Sequence, residues 1–270
     1  MSSEKSGSYP IPGIDAAEVR RLHIQGEAWA EDSSAMLDRI GIAPGWRCLD
    51  LGCGPRGITP ELSARVGDSG KVLGLDFSEP FQALARQTAA DNVRFVQGDA
   101  YATGLPEASF DFVHMRFLAS TSGEPERLVA EAKRLLKPGG ILASQEADGS
   151  TMACFPPHPA WTRLIEALVL VFEGGFGDDA IGHRMYRLMR ASGLSDVEYR
   201  PRTIGIRAGD PWIDYLPDTS DSLRSVYIDR GLFTAAELDD TLAACRAHLA
   251  HPDTVFRSVT MVQCWGRKPG

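Results

Sequence analysis

The sequence predicts an α/β fold: a mostly parallel sheet with helices on both faces. Between residues 46 and 147, short apolar runs alternate with helical segments, and a glycine-rich loop follows the first run. Strands that alternate with helices at this spacing form parallel sheets, because each connecting helix crosses over the sheet before the next strand begins. The chain has 270 residues and 43% of them are hydrophobic, so it can bury the core of one large domain or of two small ones.

Five strands and the helices between them follow from periodicity. The strands are predicted at residues 47–51, 71–76, 93–97, 110–117 and 141–147. A helix is predicted after the first strand, where Ile58, Leu62 and Val66 recur at a spacing of four. The helix at 124–137 ends at the Pro-Gly-Gly sequence 138–140, which is typical of a helix stop.

The rest of the chain is predicted to close the sheet and to cover the ligand-binding edge. We expect a single domain over residues 1–270, made of an N-terminal helical lid at 1–44, a ligand-binding core at 45–147, an inserted helical cap at 148–195, and the last two strands with a helical insertion at 196–270. These two strands are predicted near 197–207 and 255–265, which gives seven strands in all. Residues 1–13 are rich in Ser, Gly and Pro and predict a frayed tail.

The charge balance of the chain disfavours some classes of partner. There are 28 basic and 36 acidic side chains, which gives a formal net charge of −8. An acidic protein is poorly suited to neutralise phosphates, so neither a nucleic acid nor an anionic membrane is expected as a partner. We expect a small-molecule ligand, and a monomer or a homodimer.

Cysteine use and hydropathy predict a cytoplasmic protein. The five cysteines include no C-x-x-C pair, and an odd number in a chain of this length is typical of reduced thiols. Residues 1–10 carry no apolar signal segment. The longest apolar stretch, Leu164–Phe172, is much shorter than the ~20 residues that span a bilayer.

A glycine-rich loop follows the first predicted strand, in the sequence Leu-Asp-Leu-Gly-Cys-Gly-Pro-Arg-Gly at 49–57. Gly52, Gly54 and Gly57 satisfy the pattern G-x-G-x-x-G, in which glycines let the backbone approach a ligand closely. The pattern alone also fits a dinucleotide. Asp50, however, lies where a pyrophosphate needs positive potential, so it favours a ligand with a cationic ammonium group.

Acidic residues end three successive predicted strands: Asp50, Asp76 and Asp99. A single residue of this kind usually caps a loop. The carboxyl ends of parallel strands meet at one edge of the sheet, however, and three carboxylates behind a glycine loop indicate a shared ligand. We therefore expect these three side chains to face one binding site.

Five short motifs in this region resemble those of class I S-adenosylmethionine-dependent methyltransferases. They occur in order over residues 46–147, more than a third of the chain, at 49–55, 74–78, 98–100, 110–113 and 135–140. Their form is similar to the small-molecule branch, which includes ubiquinone- and menaquinone-type methyltransferases and many natural-product enzymes of secondary metabolism. The resemblance implies a Rossmann-like seven-stranded sheet, with S-adenosylmethionine bound by the core at 45–147. It also implies metal-independent methyl transfer to O, N or C of a small, partly apolar acceptor.

The resemblance implies roles for residues of the glycine loop. Gly52, Cys53 and Gly54 would approach the methionine part of the cofactor, with Asp50 near its ammonium group. The family loop usually places its third glycine where Arg56 stands here. This arginine is free either to face solvent or to reach the cofactor carboxylate.

Later strand ends would hold the adenosine part of the cofactor. Asp76 would accept hydrogen bonds from both ribose hydroxyls, as a carboxylate does bidentately. Phe77 would lie against the adenine, and Asp99 would accept from the adenine amino group with Ala100 alongside.

The end of the fourth strand would line the passage from cofactor to acceptor, through His114, Met115 and Arg116. Met115 and Arg116 are expected to be among the cofactor-binding residues. Where the acceptor must lose a proton, His114 is the first candidate for the general base, and His158 and His183 are the alternatives. Further candidates are Glu146, Asp148 and Tyr186. No metal site is predicted, because no cluster of His, Cys and Asp has the spacing of metal ligands.

Three other functions stay open at this point. The literal G-x-G-x-x-G pattern fits an NAD(P)-linked oxidoreductase. The same scaffold also suits a non-methylating S-adenosylmethionine-dependent enzyme that catalyses a cyclisation or an elimination, or a protein that binds the cofactor without catalysis.

Overall fold

Ten strands are formed by the residues that the computed structural model describes, 16–172 and 180–270; the tail predicted at 1–13 lies outside them. The strands are β1 (Arg47–Leu51), β2 (Lys71–Asp76), β3 (Val93–Gln97), β4 (Phe110–Arg116), β5 (Leu136–Asp148), β6 (Ala153–Phe155), β7 (Ser195–Arg202), β8 (Gly205–Arg207), β9 (Val255–Arg257) and β10 (Thr260–Arg267). Seven of them make one sheet, in the order β3-β2-β1-β4-β5-β10-β7.

This central sheet is parallel except at one strand. β1 pairs in parallel with β2 and with β4, β2 pairs with β3, and β4 pairs with β5. β10 lies between β5 and β7 and runs antiparallel to both. The prediction of a seven-stranded, mostly parallel sheet is therefore confirmed.

Helices cover both faces of the central sheet. The described helices are α1 (Ala16–Ala28), α2 (Ala30–Ile40), α3 (Thr59–Val66), α4 (Glu79–Arg86), α5 (Ala119–Ser122), α6 (Pro125–Leu135), α7 (Pro159–Val171), α8 (Ile181–Ala191), α9 (Tyr215–Ser222), α10 (Arg224–Asp229) and α11 (Ala235–Leu249). Met36 of α2 and Leu62 of α3 are buried on one face against Phe112. Leu128 of α6 and Met185 of α8 are buried on the other face. Each such side chain contributes about 1.5–3 kcal/mol through burial.

The segment predicted as an inserted cap, 148–195, divides between two layers in its described part. α8 packs directly on β5 and β10. A Cβ at Gly182 would lie 2.7 Å from the carbonyl oxygen of Glu146, so the missing side chain allows α8 to approach the sheet closely. α7 packs instead on α9 and α11. α8 is thus a regular sheet-covering helix rather than part of a cap.

The two closing strands differ from the prediction in their bounds. The stretch predicted at 197–207 is divided into β7 and β8, and the stretch at 255–265 into β9 and β10. β8, β9 and β6 form a second, antiparallel sheet, in which Phe256 lies opposite Cys154 and Ile206. These three side chains are buried in the same apolar cluster as α7 and α11. The apolar pattern continues through both halves of each stretch, so periodicity does not reveal the break.

Candidate active site

A cavity of about 670 Å³ opens at the carboxyl ends of the parallel strands. Its walls are the glycine loop after β1, the ends of β2 and β3, the turn after β4, and helix α1. Asp50, Asp76 and Asp99 all line it, so the structure brings together the three carboxylates that the sequence predicts at one site. Open α/β sheets bind their ligands at this edge, where the strand order reverses, and the volume suits a small-molecule site.

Asp50 holds the glycine loop in place from the end of β1. The side chain is buried; its Oδ1 lies 2.7 Å from Nδ1 of His114, and its Oδ2 accepts a 2.9 Å hydrogen bond from the backbone N–H of Ile58. Gly57 has a φ of +59°, and a Cβ there would lie 1.9 Å from Oδ2 of Asp50. Glycine is therefore required at 57, and Asp50 organises the loop as well as facing the cavity.

The backbone of the glycine loop is tied to β2. The N–H groups of Gly52 and Cys53 donate to the carbonyl oxygen of Leu75, at 2.7 and 3.1 Å, and the N–H of Gly54 donates to Oδ2 of Asp76 at 2.8 Å. Burial raises the pKa of the Cys53 thiol well above its ordinary value, so this cysteine is a neutral packing residue. The three loop residues line the cavity in a fixed conformation.

Asp76 has the geometry of an acceptor for two hydroxyl groups. Its Oδ2 accepts from Gly54 and its Oδ1 accepts a 2.8 Å hydrogen bond from the N–H of Ser78, which leaves acceptor capacity on both oxygens. Burial raises the pKa of Asp76, and these backbone hydrogen bonds oppose the rise. Phe77 follows with 67% of its surface exposed, and its ring lines the cavity as a flat apolar face.

The end of β3 adds Asp99 and Ala100 to the same wall. Oδ1 of Asp99 accepts a 2.8 Å hydrogen bond from the N–H of Tyr101, which fixes the turn. The Tyr101 hydroxyl donates to the carbonyl oxygen of Ser122 and so links this turn to helix α5. The turn that carries Asp99 and Ala100, the predicted adenine-facing residues, is therefore held in place by hydrogen bonds.

The three residues predicted at the end of β4 have different environments. Arg116 lines the cavity, whereas His114 and Met115 are fully buried and are not among the described lining residues. Nε2 of His114 lies 3.1 Å from Oε1 of Gln145, and its Nδ1 faces Asp50. His114 thus contacts Asp50 rather than the space in which an acceptor fits.

Glu146 supports the turn after β4, which forms part of the cavity wall. Its carboxylate is fully buried and accepts hydrogen bonds from the backbone N–H groups of Leu118, Ala119 and Ser120, at 2.9–3.1 Å. Burial raises the pKa of Glu146 to about 7, against the opposing effect of these hydrogen bonds. Glu146 therefore fixes the backbone of the turn after β4, which forms this part of the cavity wall.

The other two histidines predicted as candidates for the base, His158 and His183, are not among the described residues that line this cavity. His158 caps α7, where its Nδ1 accepts from the N–H of Ala160, and its ring stacks on His248 at 4.4 Å. His183 is held between Asp148, 2.7 Å from its Nε2, and the Tyr199 hydroxyl, 2.6 Å from its Nδ1. Both histidines connect structural elements.

Helix α1 forms a wall of the cavity, and the sequence did not predict which of its residues line that wall. Leu22, His23 and Gly26 line the cavity, whereas the side chains of Glu18 and Arg21 pair with each other on a buried face of the helix. Spacings of three and four place the lining residues on one side. The signal is weak because that side mixes apolar and polar residues, and because the buried residues of α1 are the polar Glu18, Arg21 and Gln25.

Two comparisons of sequence bear on this site. A family model described as a methyltransferase domain matches residues 49–144. The chain is 29% identical over 208 residues to a demethylmenaquinone methyltransferase of Geobacillus stearothermophilus, a match that covers 70% of this chain and 85% of that protein. It is 37% identical over 124 residues to the enzyme of the same name from Staphylococcus aureus, which covers 44% of this chain and about half, 51%, of that one.

Solved structures share the fold. The Bacillus subtilis protein YcgJ superposes with a TM-score of 0.59 at 16% identity, over 89% of this chain and 99% of its own. An S-adenosylmethionine-dependent methyltransferase from Aquifex aeolicus superposes with a TM-score of 0.52 at 17% identity, over 92% of this chain and 99% of its own.

The fold and the cavity, together with the family match, define a class I S-adenosylmethionine-dependent methyltransferase. The resemblance of the sequence motifs is thereby confirmed. The family match and the similar enzymes support transfer of the methyl group of S-adenosylmethionine to a small-molecule acceptor.

The residues present fit this cofactor. The carboxylate of Asp76 retains acceptors for a ribose diol, and the ring of Phe77 offers a flat face for the adenine. Gly52 leaves room at the loop, since a Cβ there would lie 2.8 Å from Cδ1 of Leu118. In the part of the chain that the structure describes, no group of three or more His, Cys, Asp or Glu side chains could hold a metal ion. No helix there is both long and apolar enough to cross a membrane.

Proposed function

We propose that the acceptor is a small, partly apolar molecule of natural-product metabolism, methylated on O, N or C in the cytoplasm. The observation that carries the proposal is the extent of the cavity. It continues from the cofactor-binding residues to Leu22 and Phe117, which add apolar surface at the end where α1 meets the turn after β4. The acidic net charge of −8 supports a small molecule over a nucleic acid.

The cofactor residues divide into two groups under this proposal. Asp76 holds the ribose hydroxyls, Phe77 lies against the adenine, and Asp99 with Ala100 completes the adenine side. Residues 50–54 hold the methionine side, where Asp50 faces the ammonium group while fixing the loop through Ile58.

We propose that His23 removes the proton, in place of His114, His158 and His183. When bound, S-adenosylmethionine supplies an electrophilic methyl group on a sulfonium sulfur and leaves as a neutral thioether. The attacking O, N or C of the acceptor gains that methyl group, and the proton it loses passes to His23. This histidine lines the cavity on α1, whereas His114 is buried against Asp50. A positioned base contributes about 10²- to 10⁴-fold to such a step.

The site otherwise works by orientation and by exclusion of water. α1 and the turn after β4, which Glu146 supports, form the walls around the acceptor end. Holding an acceptor in line with the methyl group removes several kcal/mol of entropic barrier. We propose a single domain over residues 1–270, in which α1 acts as the lid, and a monomer or homodimer as the active species.

The experiment uses S-adenosylmethionine with an isotopically labelled methyl group and a panel of phenols, amines and enolisable ketones. Mass spectrometry then follows both products. The proposal predicts a labelled product heavier by one methyl group, with an equal amount of S-adenosylhomocysteine. A rearranged product of unchanged mass, with the cofactor unconsumed, favours the non-methylating alternative.

A further inference from the structure

The strand β7 forms one edge of the central sheet. In the part of the chain that the structure describes, β7 pairs with β10 on one side and with no strand on the other. Every residue of β7 is exposed or half-buried, whereas β10 is buried from Thr260 to Gly266. An edge strand presents unpaired N–H and C=O groups, so β7 is a template on which a further strand can pair.

The neighbouring strand β10 decides which backbone groups of β7 face this open edge. The N–H of Lys268, directly after β10, donates to the carbonyl oxygen of Gly140 in β5 at 2.8 Å. Backbone groups alternate in direction along a strand, so the residues of β10 at odd positions, such as Gln263, point toward β7. Gln263 lies opposite Arg200. Arg200 therefore directs its own backbone groups inward, toward β10.

The alternate residues Val197, Tyr199 and Pro201 direct their backbone groups outward, to the open edge. Pro201 agrees with this assignment, because proline lacks an N–H and is found in edge strands where that position faces solvent. Asp196 has a φ of +51°, in the left-handed region, so it departs from the extended path of the strand. The regular part of the open edge therefore begins at Val197.

The charges of β7 select one register for antiparallel pairing with a second copy of the same strand. Outward-facing residues must lie opposite outward-facing residues, which leaves twofold axes at Glu198, Tyr199 or Arg200 in the middle of the strand. An axis at Glu198 places two glutamates in direct opposition, and an axis at Arg200 places two arginines there. Like charges directly opposite each other destabilise a sheet. An axis at Tyr199 instead places Glu198 of each copy opposite Arg200 of the other.

The register centred on Tyr199 also supplies backbone hydrogen bonds. The two copies of Tyr199 exchange N–H···O=C hydrogen bonds, and the N–H of Val197 in each copy donates to the carbonyl oxygen of Pro201 in the other. Glu198 and Arg200 then occupy the non-hydrogen-bonded positions, at which the side chains of paired strands lie closer together. The two Tyr199 rings meet on the opposite face, which α8 covers. Both the backbone and the side chains of this edge are therefore self-complementary.

We propose that the chain forms a homodimer in which two central sheets join edge to edge through β7, on a twofold axis at Tyr199. Glu198 and Arg200 contact each other within one chain at 3.3 Å, and their side chains are 51% and 40% exposed. An ion pair this exposed is weak, so replacing the partner within the chain by one in the second copy costs little free energy. A twofold interface occupies both edges, and the assembly therefore closes at the dimer.

The first experiment reverses the charges that select the register. Sedimentation equilibrium over the micromolar range should show a dimer for the wild type. Glu198→Arg and Arg200→Glu each place like charges in opposition, so each variant alone should be a monomer at concentrations at which the wild type is a dimer. An equal mixture of the two variants should dimerise again, because every arginine then meets a glutamate. Arg207→Glu, on an exposed arginine outside β7, is the matched control and should remain a dimer.

The second experiment tests the position of the axis by disulfide formation. The five native cysteines are buried, so a cysteine introduced on β7 is the exposed thiol. In the proposed register the two Tyr199 Cα atoms lie about 5.5 Å apart, within the range of a disulfide. Tyr199→Cys should therefore give a covalent dimer on mild oxidation. Val197→Cys is the matched control and should not, because Val197 lies opposite Pro201 rather than opposite itself.

Three results would overturn the inference: a wild type that remains a monomer throughout the concentration range, a dimer that persists in both single charge variants, or equal cross-linking through positions 197 and 199. The first would leave β7 as an unused edge, and the other two would place the interface or its axis elsewhere. Thermal unfolding of each variant shows that it is folded, and restored dimerisation in the mixture shows that both charge variants keep a competent edge.

Discussion

Nδ1 of His114 lies 2.7 Å from Oδ1 of Asp50, and the two residues are direct partners across β4 and β1. Both side chains are buried, and the other oxygen of Asp50 holds the backbone of Ile58 at the far end of the glycine loop. The conformation of the loop is therefore coupled to a histidine that does not reach the cavity. This pairing explains why a histidine at the end of β4 need not be a catalytic base.

Replacing His114 should affect stability and cofactor affinity rather than proton transfer. His114→Asn should lower the free energy of unfolding by about 3 kcal/mol, because the buried carboxylate of Asp50 loses a hydrogen-bond partner. The pH profile of kcat should keep its shape. His23→Gln should instead lower kcat, while calorimetry shows unchanged affinity for S-adenosylhomocysteine. The opposite pattern would return the role of base to His114.

Asp76→Ala should reduce affinity for S-adenosylhomocysteine by about 100-fold or more, because two hydrogen bonds between a carboxylate and the ribose would be lost. The backbone N–H groups of Gly54 and Ser78 would lose their acceptor as well. Calorimetry measures the change. Asp111→Ala removes a surface ion pair with Lys137 and serves as the control. Unchanged affinity in Asp76→Ala would show that the ribose is held elsewhere.

Gly57→Ala should disrupt the loop from within. The residue has a φ of +59°, and the new Cβ would lie 1.9 Å from the Asp50 carboxylate, so we expect a loss of about 2–4 kcal/mol in the free energy of unfolding. Gly205→Ala is the matched control, because its Cβ would meet no atom within 4 Å. Urea denaturation compares the two. Similar small effects in both variants would mean that the loop can move away from Asp50.

Glu146 should make stability depend on pH in a defined direction. Burial raises the pKa of this carboxyl to about 7, above the ordinary value of 4.5, so the folded state retains the proton longer than the unfolded chain does. Its contribution is present below about pH 4.5 and is lost as the pH rises through about 7. Relative to Glu146→Gln, which does not titrate, the wild type should lose on the order of 3 kcal/mol over this interval.

Urea denaturation at both ends of that interval tests the prediction for Glu146. Parallel pH profiles of the wild type and Glu146→Gln would show that Glu146 keeps an ordinary pKa. The wild type is compared with Glu146→Gln because other carboxyl groups titrate in both proteins, and only the difference between their profiles reports on Glu146.

The central sheet and the cofactor half of the site could be predicted from sequence because both depend on local pattern. Alternating strands and helices fix the parallel order, and parallel strands bring Asp50, Asp76 and Asp99 to one edge. The pairing of Asp50 with His114 could not be predicted from local pattern, because it depends on the register between β1 and β4. Two other strands separate β1 from β4 in the chain.

The acceptor half was less predictable for a different reason. α1 buries polar residues such as Glu18 against its neighbours, so hydrophobic contrast does not indicate which face meets the cavity. The second sheet was missed because each of its strands is three residues long. Such short segments form only after Cys154, Ile206 and Phe256 are packed together, which is a tertiary effect.

Calorimetry of the wild-type chain with S-adenosylhomocysteine and, separately, with NADH tests the central claim most directly. S-adenosylhomocysteine should bind one equivalent per chain and, at a hundredfold excess over its Kd, stabilise the folded state by about 2.7 kcal/mol in a parallel thermal unfolding experiment. NADH should do neither. Binding and stabilisation by NADH, with no response to S-adenosylhomocysteine, would contradict the assignment of this cavity to a methyltransferase.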